Sequence, residues 1–224
     1  RHADRLSTVG KLAAGVAHEL GTPLNVVAAR AKMIHRGESE ADEAKDDARV
    51  IGEQTARMTA IIRQLLDFAR RRPARRTPER LRELSASVLD MLRPQASEAG
   101  VTLTLADGEE VEAAVDAGQL QQVLTNLVMN AIQAQPEGGE VELTIGEEGG
   151  SARLAVRDRG VGLSEEARAR LFEPFFTTKD VGEGTGLGLS VVHGIVEEHG
   201  GAVEASDAEG GGTVMTVRLP EEPT

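Results

Sequence analysis

Apolar residues recur at steps of three and four through the first third of the chain. Between Asp4 and Arg36 they fall at Leu6, Val9, Ala13, Val16, Leu20, Leu24, Val27, Ala31 and Ile34. That spacing predicts one long amphipathic helix, roughly 45–50 Å at about 1.5 Å per residue. Gly37-Glu38-Ser39-Glu40 interrupts the pattern. A second helix is expected from about Ala41 to Arg72, with Ile51, Met58, Ile61, Ile62, Leu65 and Phe68 on its inner face. Two long helices joined by a short turn form an antiparallel hairpin. A hairpin buries its stripe on one side only, so a second copy is expected to complete a four-helix bundle.

The run Arg70-Arg71-Arg72-Pro73-Ala74-Arg75-Arg76-Thr77-Pro78 closes this region. Its prolines stop the helix, and in an acidic chain its arginines read as a solvated linker rather than a nucleic-acid patch. Beyond it the period changes. Helices are expected at Pro78–Ala99, Ala117–Ala134, Ser164–Arg170 and Leu187–Glu198. Strands are expected at Val101–Leu105, Val111–Val115, Glu140–Glu147, Ala152–Arg157, Ala202–Ala205 and Thr213–Leu219, with a hairpin around Glu148-Gly149-Gly150. Strands and helices mix without regular βαβ repetition, which predicts an α+β two-layer sandwich with helices on one face. The expected organisation is a helical hairpin over residues 1–74 and a globular domain over 75–224.

Composition narrows the function. The 224 residues contain no Cys, Trp or Tyr and only four Phe, so the core must be aliphatic. Without Cys, disulfides and thiolate metal sites are excluded. A net charge of −12 argues against a nucleic-acid partner. No apolar run approaches the ~20 residues that span a bilayer. The chain opens on Arg rather than Met, which leads us to expect a preceding region.

The candidate chemistry begins on the first helix. His18 lies two residues from both Val16 and Leu20, so it projects away from the apolar stripe. Glu19 can take its proton or hold its tautomer, leaving the other ring nitrogen as a nucleophile. Thr22 is one turn on, on the same face, where its hydroxyl could position a water. Pro23 cannot donate to the Glu19 carbonyl, so a kink is expected there. A zinc-binding His-Glu-x-x-His reading fails, because the fifth position is Thr22.

Several later segments suit a nucleotide. Asn126 and Asn130 are four apart on one helix, and an amide oxygen suits Mg²⁺. Asp158 follows a strand and could accept from an exocyclic amine such as that of adenine; Gly160 and Gly162 let backbone approach a ring or phosphate. Gly182-Glu183-Gly184-Thr185-Gly186-Leu187-Gly188-Leu189-Ser190 runs into a helix start, which favours phosphate. It is neither a Walker A nor a dinucleotide fingerprint. Between these loops, Leu171-Phe172-Glu173-Pro174-Phe175-Phe176-Thr177-Thr178-Lys179 gathers three of the four Phe, and reads as a lid partly anchored in the core with Lys179 at its basic tip.

In order, these segments resemble the H, N, G1, F and G2 boxes of bacterial sensor histidine kinases, with a final Gly-rich box at Gly210-Gly211-Gly212-Thr213. The Phe-Phe-Thr-Thr-Lys wording is similar to the nitrogen-regulatory type. The likeness covers about residues 5 to 220. It implies a dimerisation and phosphoacceptor hairpin followed by a Bergerat ATP-binding fold of the kind shared with gyrase-type ATPases. It also implies ATP and Mg²⁺, a homodimer, a response regulator receiver domain as partner, and a cytoplasmic location, with membrane attachment through a preceding region left open. His18 would be autophosphorylated, Glu19 would act as general base, and Thr22 would assist dephosphorylation of the regulator. Asn130 would hold Mg²⁺ and Asp158 would read adenine. Asn126, Gly160, Gly162, Phe175, Thr178, Lys179, Gly184, Thr185, Gly186, Leu187, Gly188 and Thr213 complete the expected nucleotide site.

One departure is Gln133, where many members carry a basic residue; Lys179 is expected to take more of the phosphate load. A gyrase-like ATPase is the first alternative, but the water-activating Glu four positions before Asn130 is replaced by Asn126. A non-catalytic dimeric scaffold is the second, and the presence of Asn130 and Asp158 argues against it.

Overall fold

The computed structural model describes residues 20–37, 41–69, 74–179 and 186–220. His18, Glu19, Gly184 and Thr185 lie outside the described residues, as does the expected kink at the Glu19 carbonyl. The chain forms two units, one built on Arg1–Arg71 with Lys179–Thr185 and the other on Arg72–Thr178 with Gly186–Thr224.

The first unit contains a helix through residues 20–36 (α1) and a second at Ala41–Ala69 (α2). Gly37, at φ +66°, ends α1, and its N–H donates to the Ile34 carbonyl at 3.1 Å. Only a residue without a Cβ takes that conformation at little cost. Asp42 and Glu43 sit in the first turn of α2, where carboxylates complement the helix dipole. Between the helices Arg30 donates to Asp47 at 2.8 Å, and the Asp47 side chain is almost fully enclosed. Ile61 is fully buried, whereas Leu24 (55% exposed), Ile62 (46%), Met33 and Ile34 (both 37%) remain open. Part of the apolar face predicted as internal is therefore uncovered in a single copy.

The second unit begins with a strand, β1 (Thr77–Arg80), paired antiparallel with β3 (Glu112–Val115) in the register Thr77↔Val115. Here the sequence-based expectation of a helix from Pro78 is corrected. The helix, α3, starts at Leu81 and runs to Glu98. Residues 77–80 pair with β3 instead, and the two-stranded sheet tolerates Pro78 because an edge strand need not donate at every position. The other elements lie within a few residues of their expected ranges. They are β2 (Val101–Leu105), α4 (Ala117–Gln133), β4 (Gly139–Glu147), β5 (Ser151–Asp158), α5 (Glu165–Arg170), α6 (Gly188–Glu198), β6 (Ala202–Asp207) and β7 (Thr213–Pro220).

The five-stranded sheet has the order β2-β4-β5-β7-β6. Only the β2–β4 pair is parallel; the others are antiparallel. The helices α3, α4 and α6 pack against one another and on the sheet, giving the expected α+β two-layer sandwich. The core between the layers is aliphatic. Leu84 and Val88 of α3, Leu124 and Leu127 of α4 and Val192 of α6 meet Leu143, Leu154 and Val217 of the sheet. Phe172 is the one aromatic side chain packed against it among the described residues, and it is only partly buried.

Candidate functional site

The site grows out of the central strand. Successive strand residues face opposite sides, so Ala152, Leu154, Val156 and Asp158 share the core face of β5. The first three are apolar; the last is a carboxylate only 5% exposed. Asp158 Oδ1 accepts from the Gly160 N–H at 2.8 Å and the Thr213 N–H at 3.1 Å. Its other oxygen accepts no bond among the described residues. Burial raises the Asp158 carboxyl above the ordinary carboxylate value, and the two N–H bonds oppose that shift only in part. A desolvated carboxylate with one oxygen committed and one available is suited to accept from an amine on a bound ring.

The glycines around it serve close approach. A Cβ on Gly160 would lie 2.4 Å from the Ala134 carbonyl oxygen at the end of α4, and one on Gly212 would lie 2.1 Å from the Asp158 carbonyl oxygen. Gly162 has φ +73°, and its neighbour Val161 is 87% exposed at the loop tip. Asp158, Gly160, Gly162 and Thr213 are thus brought together at one end of the sheet.

Asn126 and Asn130 flank the buried stripe of α4, both half-buried. Asn126 abuts the start of α6: a Cβ on Gly188 would stand 3.3 Å from the Asn126 Oδ1. Among the described residues no side chain caps α6, and a helix start of this kind suits an anion. Leu187 is fully buried, and its backbone carbonyl accepts from Ser190 Oγ at 2.8 Å and the Val191 N–H at 3.0 Å within the first turn of α6.

The predicted lid is anchored at several points. Leu171 is buried, Phe172 packs on the His193 ring at 5.1 Å, and the Arg170 guanidinium lies 4.5 Å from the centre of the Phe176 ring. The Phe175 N–H donates to the Gly186 carbonyl at 3.0 Å. Phe175 has φ +65°, the one positive value at a non-glycine among the described residues. Thr178 is exposed and Lys179 half-buried at the end of the described stretch. Thr22 is half-buried on α1. Gln133 is exposed on α4.

Two buried polar residues were missed from the sequence. Gln135 (3% exposed) donates from Nε2 to the Ala131 carbonyl at 3.0 Å and accepts at Oε1 from the N–H groups of Glu140 (3.1 Å) and Arg159 (3.3 Å). His199 (3% exposed) accepts at Nε2 from the Asp116 N–H at 3.0 Å, so its Nδ1, 2.8 Å from the Ile195 carbonyl, carries the hydrogen. Each stands just past the end of an apolar stripe, Gln135 after Leu127 and Ala131 of α4 and His199 after Val192 and Val196 of α6. A polar residue in register with a buried face was the available signal.

Asp116 caps α4 by accepting from the Gln119 N–H at 3.1 Å, and also accepts from the Arg75 N–H at 3.0 Å. Burial pushes its carboxyl up, but bonds from the Arg75, Gln119 and Gly118 N–H groups outweigh that, with help from His199, and hold it below the ordinary value. Glu198 accepts from the Ala74 N–H at 3.1 Å. The mixed unit therefore takes hold of the chain from Ala74 onward.

An α+β sandwich with a buried carboxylate at the end of its central strand, two amides on the adjoining helix and glycine loops around them is the arrangement of a nucleotide-binding class of domain. Residues 115–223 match the family described as histidine kinase-, DNA gyrase B-, and HSP90-like ATPase, and residues 8–74 match the His Kinase A (phospho-acceptor) domain. The chain is 34% identical over 221 residues to the sensor histidine kinase ZraS of Escherichia coli, covering 98% of this chain and 47% of that protein. The crystal structure of histidine kinase ThkA in complex with response regulator protein TrrA matches at 28% identity and a TM-score of 0.84, covering 100% of this chain and 65% of that one. The isolated catalytic domain of ThkA matches at 32% identity and a TM-score of 0.59, covering 66% of this chain and 97% of that domain. The chain belongs to the sensor histidine kinase family, and its second unit is the ATP-binding domain of that family. It spans about half the length of ZraS. Among the described residues no helix is long and apolar enough to cross a membrane.

Proposed function

We propose that this chain is the kinase core of a two-component sensor: it transfers the γ-phosphoryl group of ATP to His18 and passes it on to an aspartate of a response regulator. The observation that carries this reading is the buried, half-committed carboxylate of Asp158 amid the glycine loops, in a chain that also carries His18-Glu19-Leu20-Gly21-Thr22. Asp158 Oδ2 accepts from the adenine amine. Gly184, Thr185, Gly186 and the N–H groups at Gly188 receive phosphates, and Lys179 and Thr178 close over them from the lid. Asn130, with Asn126 beside it, offers an amide oxygen to Mg²⁺. The donor set fits that ion, since Mg²⁺ keeps several waters and is shared with phosphates rather than caged by protein; among the described residues no cluster of three or more acidic or His side chains could hold a metal alone. When bound, Mg²⁺ neutralises charge on the transferring phosphates.

At the acceptor, one imidazole nitrogen of His18 forms a bond to the γ-phosphorus as the bond to the ADP oxygen breaks, and the ring proton passes to Glu19. Catalysis is mainly positioning and charge neutralisation. Residues 1–74 act as the dimerisation and phosphotransfer module and 75–224 as the catalytic domain. The open Leu24, Met33, Ile34 and Ile62 side chains support pairing of two hairpins. Incubation with γ-labelled ATP tests the reading: wild type should acquire an acid-labile label and His18→Gln should not. Label that survives the substitution would sink the assignment.

A further inference from the structure

We propose that Gln135 is a positioning residue for the nucleotide site, setting the spacing between the α4 amides and the Asp158 loop; this rests on the reading of that site given above. Both groups that face the nucleotide must keep a fixed separation, yet they lie on different elements. Asn130 is on α4, and Asp158 ends β5. The side chain that joins the two is the Gln135 amide. Its Nε2 holds the Ala131 carbonyl, one residue from Asn130, and its Oε1 holds the Arg159 N–H, one residue from Asp158. The same oxygen takes the Glu140 N–H at the start of β4.

The surroundings leave this amide little freedom. Its backbone is also committed, the N–H to the Ile132 carbonyl at 3.1 Å and the carbonyl to the Gly138 N–H at 3.0 Å. A Cβ on Gly139 would stand 2.1 Å from the Gln135 Oε1, so this close approach requires glycine. The Gly160–Ala134 contact presses the same loop onto the same helix end. An apolar side chain of equal length would leave the buried Ala131 carbonyl and the part-buried Glu140 and Arg159 N–H groups without these partners, and the loop would move to hydrate them.

The full chain carries the test, with ADP affinity measured by calorimetry and exchange of the Arg159 amide followed by mass spectrometry. Gln135→Met should weaken ADP binding about tenfold, the scale on which loss of a supporting shell acts, and should speed exchange at Arg159. Val88→Ala, a core change on α3, should lower the melting temperature without altering affinity. Gln135→Glu separates positioning from bulk stability. When protonated it can donate to the Ala131 carbonyl and accept from both N–H groups; when ionised it can only accept. Its affinity relative to wild type should therefore recover at pH 6 and fall at pH 8.5, buffer values about 1–2 units either side of neutrality that bracket the raised pKa of a buried Glu. Wild-type affinity and Arg159 exchange in Gln135→Met, equal weakening by Val88→Ala, or a flat pH ratio for Gln135→Glu would each overturn the inference. Asp158→Asn in the same assay keeps the two failures apart: if it binds ADP like wild type, the site reading falls, whereas if it alone loses ADP, only the role of Gln135 falls.

Discussion

Thr213 donates its backbone N–H to the Oδ1 of Asp158 at 3.1 Å, tying β7 to the end of β5 across 55 positions of sequence. With the Gly160 bond it commits one carboxylate oxygen and leaves the other for a ligand. Asp158→Asn can keep Oδ1 on both N–H groups, which directs a donor NH₂ at the position expected for an amine. We expect ATP affinity to fall about 10- to 100-fold, as for loss of a hydrogen bond to a charged group, measured by calorimetry.

The same substitution should stabilise the ligand-free protein. Burial raises the Asp158 carboxyl above its ordinary value of 3.8. Between that value and the raised native one, the folded protein holds a proton the unfolded chain has lost, so stability falls as pH rises through the window. Asp158→Asn has no such loss. Its melting temperature should exceed that of wild type at pH 7, and the gap should narrow towards pH values below about 4, where both states of the acid are protonated.

Asp116 should behave in the opposite sense. Its carboxyl is held below 3.8 in the folded state, so its contribution is present above that value and is lost as pH falls through the native one. Asp116→Ala removes the α4 cap, at a cost of about 0.5–2 kcal/mol, and frees the Arg75 N–H. Urea denaturation should show that loss at pH 7 and a smaller one in acid. Asp116→Asn, which can still cap, should cost less.

Gly186→Ala should damage the lid. Its φ of +64° disfavours any side chain, and a Cβ there would lie 2.4 Å from the Phe175 carbonyl carbon. The strained backbone costs about 1–3 kcal/mol, relieved by displacing the Phe175 end of the lid. Reduced ATP affinity, with faster amide exchange across 172–178 and little change in β4 and β5, is the expected result.

Thr22→Ala is expected to keep autophosphorylation and lose phosphatase activity on the cognate regulator. Parallel assays of label on His18 and of phosphate release from the regulator check this. Equal loss of both would show that the roles are not separable.

The elements were legible where periodicity was strong and local. The stripe of α4 and the alternation of β5 appear in the sequence because burial acts on each side chain at a fixed angular step. The Pro78–Arg80 stretch was misread as helix because its strand partner, Glu112–Val115, is remote in sequence and no local pattern reports that pairing. Gln135 and His199 were passed over for a similar reason, since the groups they satisfy belong to other elements.

The sequence by itself determined the order of the boxes, the aliphatic core and the residue types offered to a nucleotide, because these depend on composition and short-range spacing. Tertiary structure alone decided which oxygen of Asp158 is committed, that the Leu187 side chain is buried, and that the Gln135 amide links α4 to the Asp158 loop. Hydrogen-bond partners and desolvation are set by groups brought together from distant parts of the chain, and only the folded packing of β5, β7 and α4 brings them within bonding distance.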